Sequence, residues 1–437
     1  MAFLQDMFSS LWEQGKRFNS VSDKRDIADL CEALMSGQGE VSGTKVASAV
    51  LAKYEQLDQA GKQLFFERLQ KDYDLDPKKV IRAAEQYADK GSRKDLERLI
   101  VLAKPRRQEL LRRLNQVPGA TEKLVHMRED LFPFIKSDPD FALVDSDFEY
   151  VFSNWFNRGF LLLKPIDWRT PANILERIIA YEAVHAINDW DDLRRRLQPA
   201  DRRCFAFFHP VMPEEPLIFV EVALTKGVPN SVGSVLAGDR DILPGNEADT
   251  AVFYSISNCQ EGLRGVSFGN FLIKQVVEDL KAELPNIKKF VTLSPVPLFT
   301  CWMRDTYSKT DIKPIKDILT LLAEGKEELK PSSFEPYQKL LIKLFADYLV
   351  GAKRGDRFPY DPVSRFHLGN GASLARLNWM ADQSANGLRQ SAGMMVNYQY
   401  DLGSVESNHE SYVNDHQVHT TKETIALAKS DLATVLK

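Results

Sequence analysis

Cysteine is scarce in this chain. It has four among 437 residues, Cys31, Cys204, Cys259 and Cys301, and no CxxC pair. That pattern excludes a zinc ribbon and a disulfide-built scaffold, so free, buried thiols are expected and no metal site is. Long apolar runs are missing too, and no stretch approaches the roughly 20 residues that a membrane-spanning helix needs. Net charge is small: 57 basic against 61 acidic side chains leave −4 at pH 7. No bulk attraction to nucleic acid or to an anionic membrane follows from that balance, and an anionic ligand must be caught by a local site. Residues Met1 to Ser20, interrupted by Asp6 and Glu13, match neither a secretory signal nor an organelle presequence, and the terminal Val435-Leu436-Lys437 is not a peroxisomal address. The expectation is a cytoplasmic protein with neither nucleic acid nor membrane as partner.

What remains is an ordinary globular composition, 44% hydrophobic and 27% charged, at a length that suggests two or three domains. Up to about residue 155 only helical spacing is visible. Val46, Val50, Leu51, Tyr54, Leu57, Leu64, Phe65 and Leu69 recur at three-to-four intervals. Further helices are predicted around Lys94 to Ala103, from Arg106 to Asn115, and from Thr121. This half holds no chemical motif, and a packing or assembly bundle is its plain reading. After Asn157 the texture changes. A helix over Pro171 to Ala186 leads to an Arg-rich polar stretch, Asp191 to Arg203, and then to strand-like runs at 204–208, 216–224, 251–256 and 289–293. The amphipathic helix Asn270 to Leu284 separates the last two. Helices are also predicted at 312–323 and 336–348, and a polar loop from about Gly403 precedes a last helix, Thr421 to Val435. An α/β (α+β) domain is the reading for residues 156–437.

Three segments there carry chemistry. Gly262-Leu263-Arg264-Gly265-Val266-Ser267-Phe268-Gly269-Asn270 joins a strand to the amphipathic helix, where glycines and free N–H groups suit a pyrophosphate; a plain tight turn reads the same way. Thr292-Leu293-Ser294-Pro295-Val296-Pro297 fixes a hydroxyl at a strand end, and Ser before Pro is also an ordinary turn. Phe366-His367-Leu368-Gly369-Asn370-Gly371-Ala372 offers an imidazole for proton transfer, leading into a helix through Leu374, Leu377 and Trp379. Six other histidines compete with His367. No GxSxG elbow accompanies the serine, so a hydrolase is poorly supported. Arg194, Arg195, Arg196, Arg202 and Arg203 suit either a phosphate or a solvated helix face.

Taken together and in this order, these segments, with Phe253-Tyr254-Ser255-Ile256-Ser257, Glu182-Ala183-Val184-His185, Glu215-Pro216-Leu217 and Asn397-Tyr398-Gln399-Tyr400, resemble the malonyl-CoA decarboxylase family over about residues 150–402 and more loosely before. The resemblance implies a helical oligomerisation domain, 1–155, and a GNAT-like acyltransferase-fold catalytic domain, 156–437. It implies malonyl-CoA as substrate, acetyl-CoA as product, no added cofactor, and a homodimer or homotetramer. Residues Arg264, Gly265, Val266, Ser267, Phe268, Gly269 and Asn270 fit the family's acyl-CoA pyrophosphate loop, and Ser294 and His367 its catalytic pair. Ser267 stands where mammalian-type members carry a glutamate, and it brings a hydroxyl without charge. An acyl-CoA-dependent N-acyltransferase and a non-catalytic malonyl-CoA sensor are the alternatives; the first would release free CoA and the second no carbon dioxide.

Overall fold

The computed structural model describes residues 23–36, 40–266, 268, 272–323 and 329–432, and these fall into two compact units. The first comprises the chain up to Leu162, together with Phe208–Leu217 and Gln260–Phe268; the second takes Leu163–Phe207, Ile218–Cys259 and the chain beyond Phe268.

The first unit is built from the helices Ile27–Met35, Glu40–Glu55, Gln59–Lys71, Pro77–Lys90, Arg93–Leu102, Arg106–Leu114, Ala120–Ser137 and Ala142–Trp155. Their ends follow from local chemistry. Asp58, Asp76 and Ser92 accept first-turn N–H groups, Pro77 sits where its missing N–H costs nothing, and Gly91 closes its helix at φ +59°. Periodicity that reads as one run from Val46 to Tyr73 is cut at Asp58, whose carboxylate prefers the cap. Tyr54, Phe65, Phe66, Phe134 and Phe141 form a chain of edge and tilted ring contacts at the core. Each fully buried aromatic contributes roughly 1.5–3 kcal/mol.

The second unit is organised on an eight-stranded mixed sheet: β1 Leu162–Ile166, β2 Arg202–His209, β3 Met212–Thr225, β4 Thr250–Asn258, β5 Lys289–Thr292, β6 Ser294–Pro295, β7 Ser373–Asn378 and β8 Met395–Gln399. The order is β1-β2-β3-β4-β5-β8-β6, with β7 also on β8. β4 and β5 run parallel, joined through the helix Leu272–Glu283, as the alternation of strand, turn, helix and strand suggests. Ala223, Val252, Tyr254, Val291, Leu293 and Met395 fill one core cluster on this sheet.

Two local expectations fail here. The segment through Leu374 and Leu377 is strand β7, and His367 lies on the preceding helix, Pro362–Gly369. Pairing with β8 slips between Leu374 and Arg376, and this extra residue turns a two-residue period into the three-residue spacing that mimics a helix. The polar stretch after Gly403 is not a loop either. It folds as the helix Val405–Asp415, anchored by Val405 and Tyr412, which are buried. Of the cysteines, Cys31, Cys204 and Cys259 are buried free thiols as expected, whereas Cys301 is exposed. No helix among the described residues is long and apolar enough to cross a membrane.

Candidate active site

Thr292 ends β5 and Ser294 begins β6, so a two-residue step along extended chain turns both hydroxyls to one face. The Ser294 hydroxyl donates to Thr292 Oγ1 at 2.8 Å. Thr292 is itself fixed by β8: Tyr398 N–H donates to its hydroxyl oxygen at 3.0 Å, and Asn397 Nδ2 to its carbonyl at 2.6 Å. His367 arrives from the other side. Asp361 caps its helix, accepting N–H groups from Val363 and Ser364 at 2.9 Å each, and Pro362 opens the first turn. The imidazole Nε2 then stands 2.9 Å from Ser294 Oγ, and Nδ1 stands 2.8 Å from the Tyr400 hydroxyl. The Tyr398 ring stacks on the imidazole at 4.6 Å and 25°. Seventy-three residues apart in sequence, Ser294 and His367 are thus brought into contact, 5% and 2% exposed.

Burial sets the charges. It pushes the His367 imidazole down to about 3, so the ring is neutral at any ordinary working pH. It also raises the Tyr400 phenol well above its usual value, which keeps the hydroxyl protonated and a donor. Hydrogen-bond accounting now fixes the tautomer. Tyr400 has one acceptor among the described residues, His367 Nδ1, and Ser294 has already given its proton to Thr292. Nδ1 therefore accepts, and Nε2 carries the proton and donates it to Ser294. The order is Tyr400 to His367 to Ser294 to Thr292, every link a donor to the next. A serine hydrolase is wired the other way, with a carboxylate behind the imidazole and Nε2 taking the serine proton. In this arrangement Nε2 is a donor to Ser294 and not an acceptor of its proton.

The loop residues are placed differently. Arg264, Gly265, Val266 and Phe268 belong to the first unit, and Ser267, Gly269 and Asn270 lie outside the described residues. The N–H groups of Arg264 and Val266 are committed inside the turn, to Glu261 and Leu263 carbonyls at 2.9 and 3.0 Å. Gly265 has φ +85°, a left-handed conformation that favours glycine. Its N–H has no acceptor among the described residues. The arginine cluster divides: Arg195, Arg196 and Arg202 line one small pocket with Arg240 and Asp192, while the outer two turn elsewhere. Arg194 lies over the Trp168 ring, Arg196 pairs with fully buried Glu221 at 3.0 Å, and Arg203 pairs with Glu283 at 2.6 Å. Glu182 is structural: its carboxylate accepts the N–H groups of Val184 and His185 and the Ser255 hydroxyl.

Sequence reasoning named Ser294 and His367, which the structure brings into contact, but assigned no part to Tyr400, Thr292 or Asp361. Strand alternation holds the only signal for Tyr400: Tyr398 and Tyr400 share a period of two, one stacking on the imidazole and the other bonding it.

Comparison with known proteins identifies the family. The family model described as malonyl-CoA decarboxylase C-terminal domain matches residues 159–436, and its N-terminal counterpart matches 73–156. The curated "Malonyl-CoA decarboxylase, mitochondrial" of Anser anser anser is 35% identical over 379 residues, 80% of this chain and 74% of that protein. The solved malonyl-CoA decarboxylase structures from Rhodopseudomonas palustris and Agrobacterium vitis are 47% and 48% identical, with TM-scores of 0.86 and 0.85. They cover 92% and 93% of this chain, and 98% and 100% of their own.

Proposed function

The chain belongs to the malonyl-CoA decarboxylase family, and on that premise we propose that it converts malonyl-CoA to acetyl-CoA and carbon dioxide with Ser294 and His367 as the reacting pair. The observation that carries the assignment is the buried Ser294 Oγ–His367 Nε2 hydrogen bond backed by a phenol.

The chemistry asks for little covalent help. The thioester carbonyl is the electron sink: as the bond to the carboxylate breaks, its electron pair moves into an enolate and carbon dioxide leaves. The protein must hold the carboxylate out of the thioester plane, strip its water, and meet the developing charge with donors. Ser294 orients the malonyl group and, turning its hydroxyl from Thr292, gives its proton to the alpha carbon; the His367 Nε2 proton replaces it while Tyr400 keeps its own and donates to the charged ring at Nδ1. Water restores that proton afterwards. A neutral imidazole is suited to this, because it donates toward an enolate through Ser294 without carrying its own charge into a buried site. Arg264, Gly265, Val266 and Phe268 contribute to holding the CoA pyrophosphate, together with Ser267, Gly269 and Asn270. The same proposal takes residues 1–155 as the oligomerisation domain and 156–437 as the catalytic domain of GNAT type. It also takes the protein as a cytoplasmic homodimer or homotetramer, to be read by fractionation and by mass photometry against a 49.7 kDa protomer.

Incubation with carboxyl-labelled malonyl-CoA tests the activity. Labelled carbon dioxide should appear with acetyl-CoA, and in deuterium oxide the product methyl should carry one deuterium. Release of free CoA, or binding without turnover, would refute the reading.

A further inference from the structure

The helical unit does more than pack: part of it grips the loop that joins β4 to the following helix. One face of the helix Ala120–Ser137 carries Val125, Arg128, Glu129 and Phe132 at spacings of three, four and seven. All four meet Gln260–Phe268. Arg128 is 2% exposed, and its Nη1 donates to the carbonyls of Gly262 at 3.0 Å and of Arg264 at 2.8 Å. The Glu129 carboxylate accepts the Gly262 N–H at 3.0 Å. Gly262 lies so close to the helix that an added Cβ would stand 2.1 Å from the Val125 carbonyl oxygen. Arg264 stacks its guanidinium on the Phe132 ring at 4.2 Å.

The consequence is directional. In a trans peptide the carbonyl and the N–H point opposite ways. Arg128 draws the Arg264 carbonyl toward the helix, so the N–H of the same peptide, that of Gly265, points away from it. That N–H has no acceptor among the described residues, whereas those of Arg264 and Val266 are spent in the turn. Asp145 holds the other edge of the Arg128 guanidinium at 2.7 Å, neutralising it, so the effect of Arg128 on the loop is geometric and brings no net charge.

We propose that Arg128 is the positioning residue of the acyl-CoA loop, aiming the Gly265 N–H at the pyrophosphate of the substrate. This rests on the reading of the loop as a pyrophosphate site. It makes the helical segment part of substrate recognition, where the sequence suggests only packing.

The experiment uses two substrates, malonyl-CoA and the malonyl thioester of N-acetylcysteamine, which has no pyrophosphate. Arg128→Met should lower kcat/KM for malonyl-CoA by about 10- to 100-fold, the scale of a lost charge-assisted contact, mainly through KM. The truncated thioester should be turned over within about threefold of the wild-type rate, and Arg128→Lys should fall between. Loss on both substrates alike, or no loss on either, overturns the positioning role. Should Arg128→Met not fold, Arg128→Lys alone decides by the same comparison. A wild-type enzyme with equal KM for the two thioesters would sink the loop reading itself, a different result from either.

Discussion

Replacing Tyr400 by phenylalanine removes one oxygen and tests the wiring of the site. Tyr400 Oη lies behind the imidazole, 2.8 Å from Nδ1, and phenylalanine keeps the ring that packs beside Phe253. Two effects should separate. In the resting protein, Nδ1 loses its donor in a buried place, which costs about 1–3 kcal/mol of folding stability. During protonation of the enolate, the imidazole gives up Nε2 proton density and gains negative character, so the Tyr400 bond strengthens from a neutral one to a charge-assisted one. The difference between those classes is about 1–2 kcal/mol, and at roughly 1.4 kcal/mol per factor of ten kcat should fall about 5- to 30-fold. KM should stay within about twofold, since the resting hydrogen bond reaches the substrate only through His367. Carbon dioxide release gives kcat, urea unfolding gives the stability, and nitrogen-15 spectra of labelled histidine give the tautomer. The wild-type His367 signal should be that of a neutral ring protonated at Nε2, and the variant should show a mixture. A wild-type ring protonated at Nδ1, or a Tyr400→Phe protein with unchanged kcat and spectrum, would falsify the donor chain.

Other outcomes follow from the same geometry. His367→Asn should lower kcat by about two orders of magnitude or more, the scale of general acid–base catalysis, while free CoA binding by calorimetry stays near wild type. Ser294→Ala should lower kcat more than it raises KM; a change confined to KM would make Ser294 a ground-state contact only. Because burial holds His367 down near 3, kcat/KM should show no loss near pH 6.5 in the wild type that His367→Asn removes. The native imidazole binds fewer protons than the unfolded one between about pH 3 and 6.5, so stability is present above that window and lost as pH falls through it. Burial raises Asp361 to about 6, so it works in the opposite direction below that value, and His367→Asn should flatten the acid side of the unfolding curve by up to about 1.4 kcal/mol per pH unit.

The helical character of the first unit was legible because helix signals are local, although Ile27–Met35, Pro77–Lys90 and Ala142–Trp155 were not individually read. Asp76 before Pro77, Ser92 three residues before Asp95, and Gly91 at a helix end each act within one turn. Strands β2 to β5 were legible for a similar reason, as short apolar runs bounded by turns. β7 was not: its bulge between Leu374 and Arg376 imitates the helical period, and its partner β8 lies about twenty residues ahead in the chain. The helix Val405–Asp415 was hidden by polar composition, since Lys274 and Glu406, 132 residues apart, meet at 2.6 Å on its first turn and no local reading brings them together.

The site divides along the same line. By residue type alone Ser294 reads as an ordinary turn and His367 as one of seven histidines, and the family resemblance is what singles them out. Their direction of donation could not be read from the sequence. It depends on which group stands behind Nδ1 and on where the serine proton is already spent, and both answers come from strand pairing: β8 brings Tyr400 behind the imidazole, while the two-residue step from Thr292 to Ser294 provides the internal acceptor. Had an aspartate occupied the place of Tyr400, the same serine and histidine would read as a nucleophile and its base. A phenol that keeps its proton leaves Nδ1 an acceptor and Nε2 a donor, the arrangement that the proposed enolate protonation uses. The direction of donation between Ser294 and His367 is thus set by the residue that follows β8, distant from both in sequence and 2.8 Å from the imidazole in space.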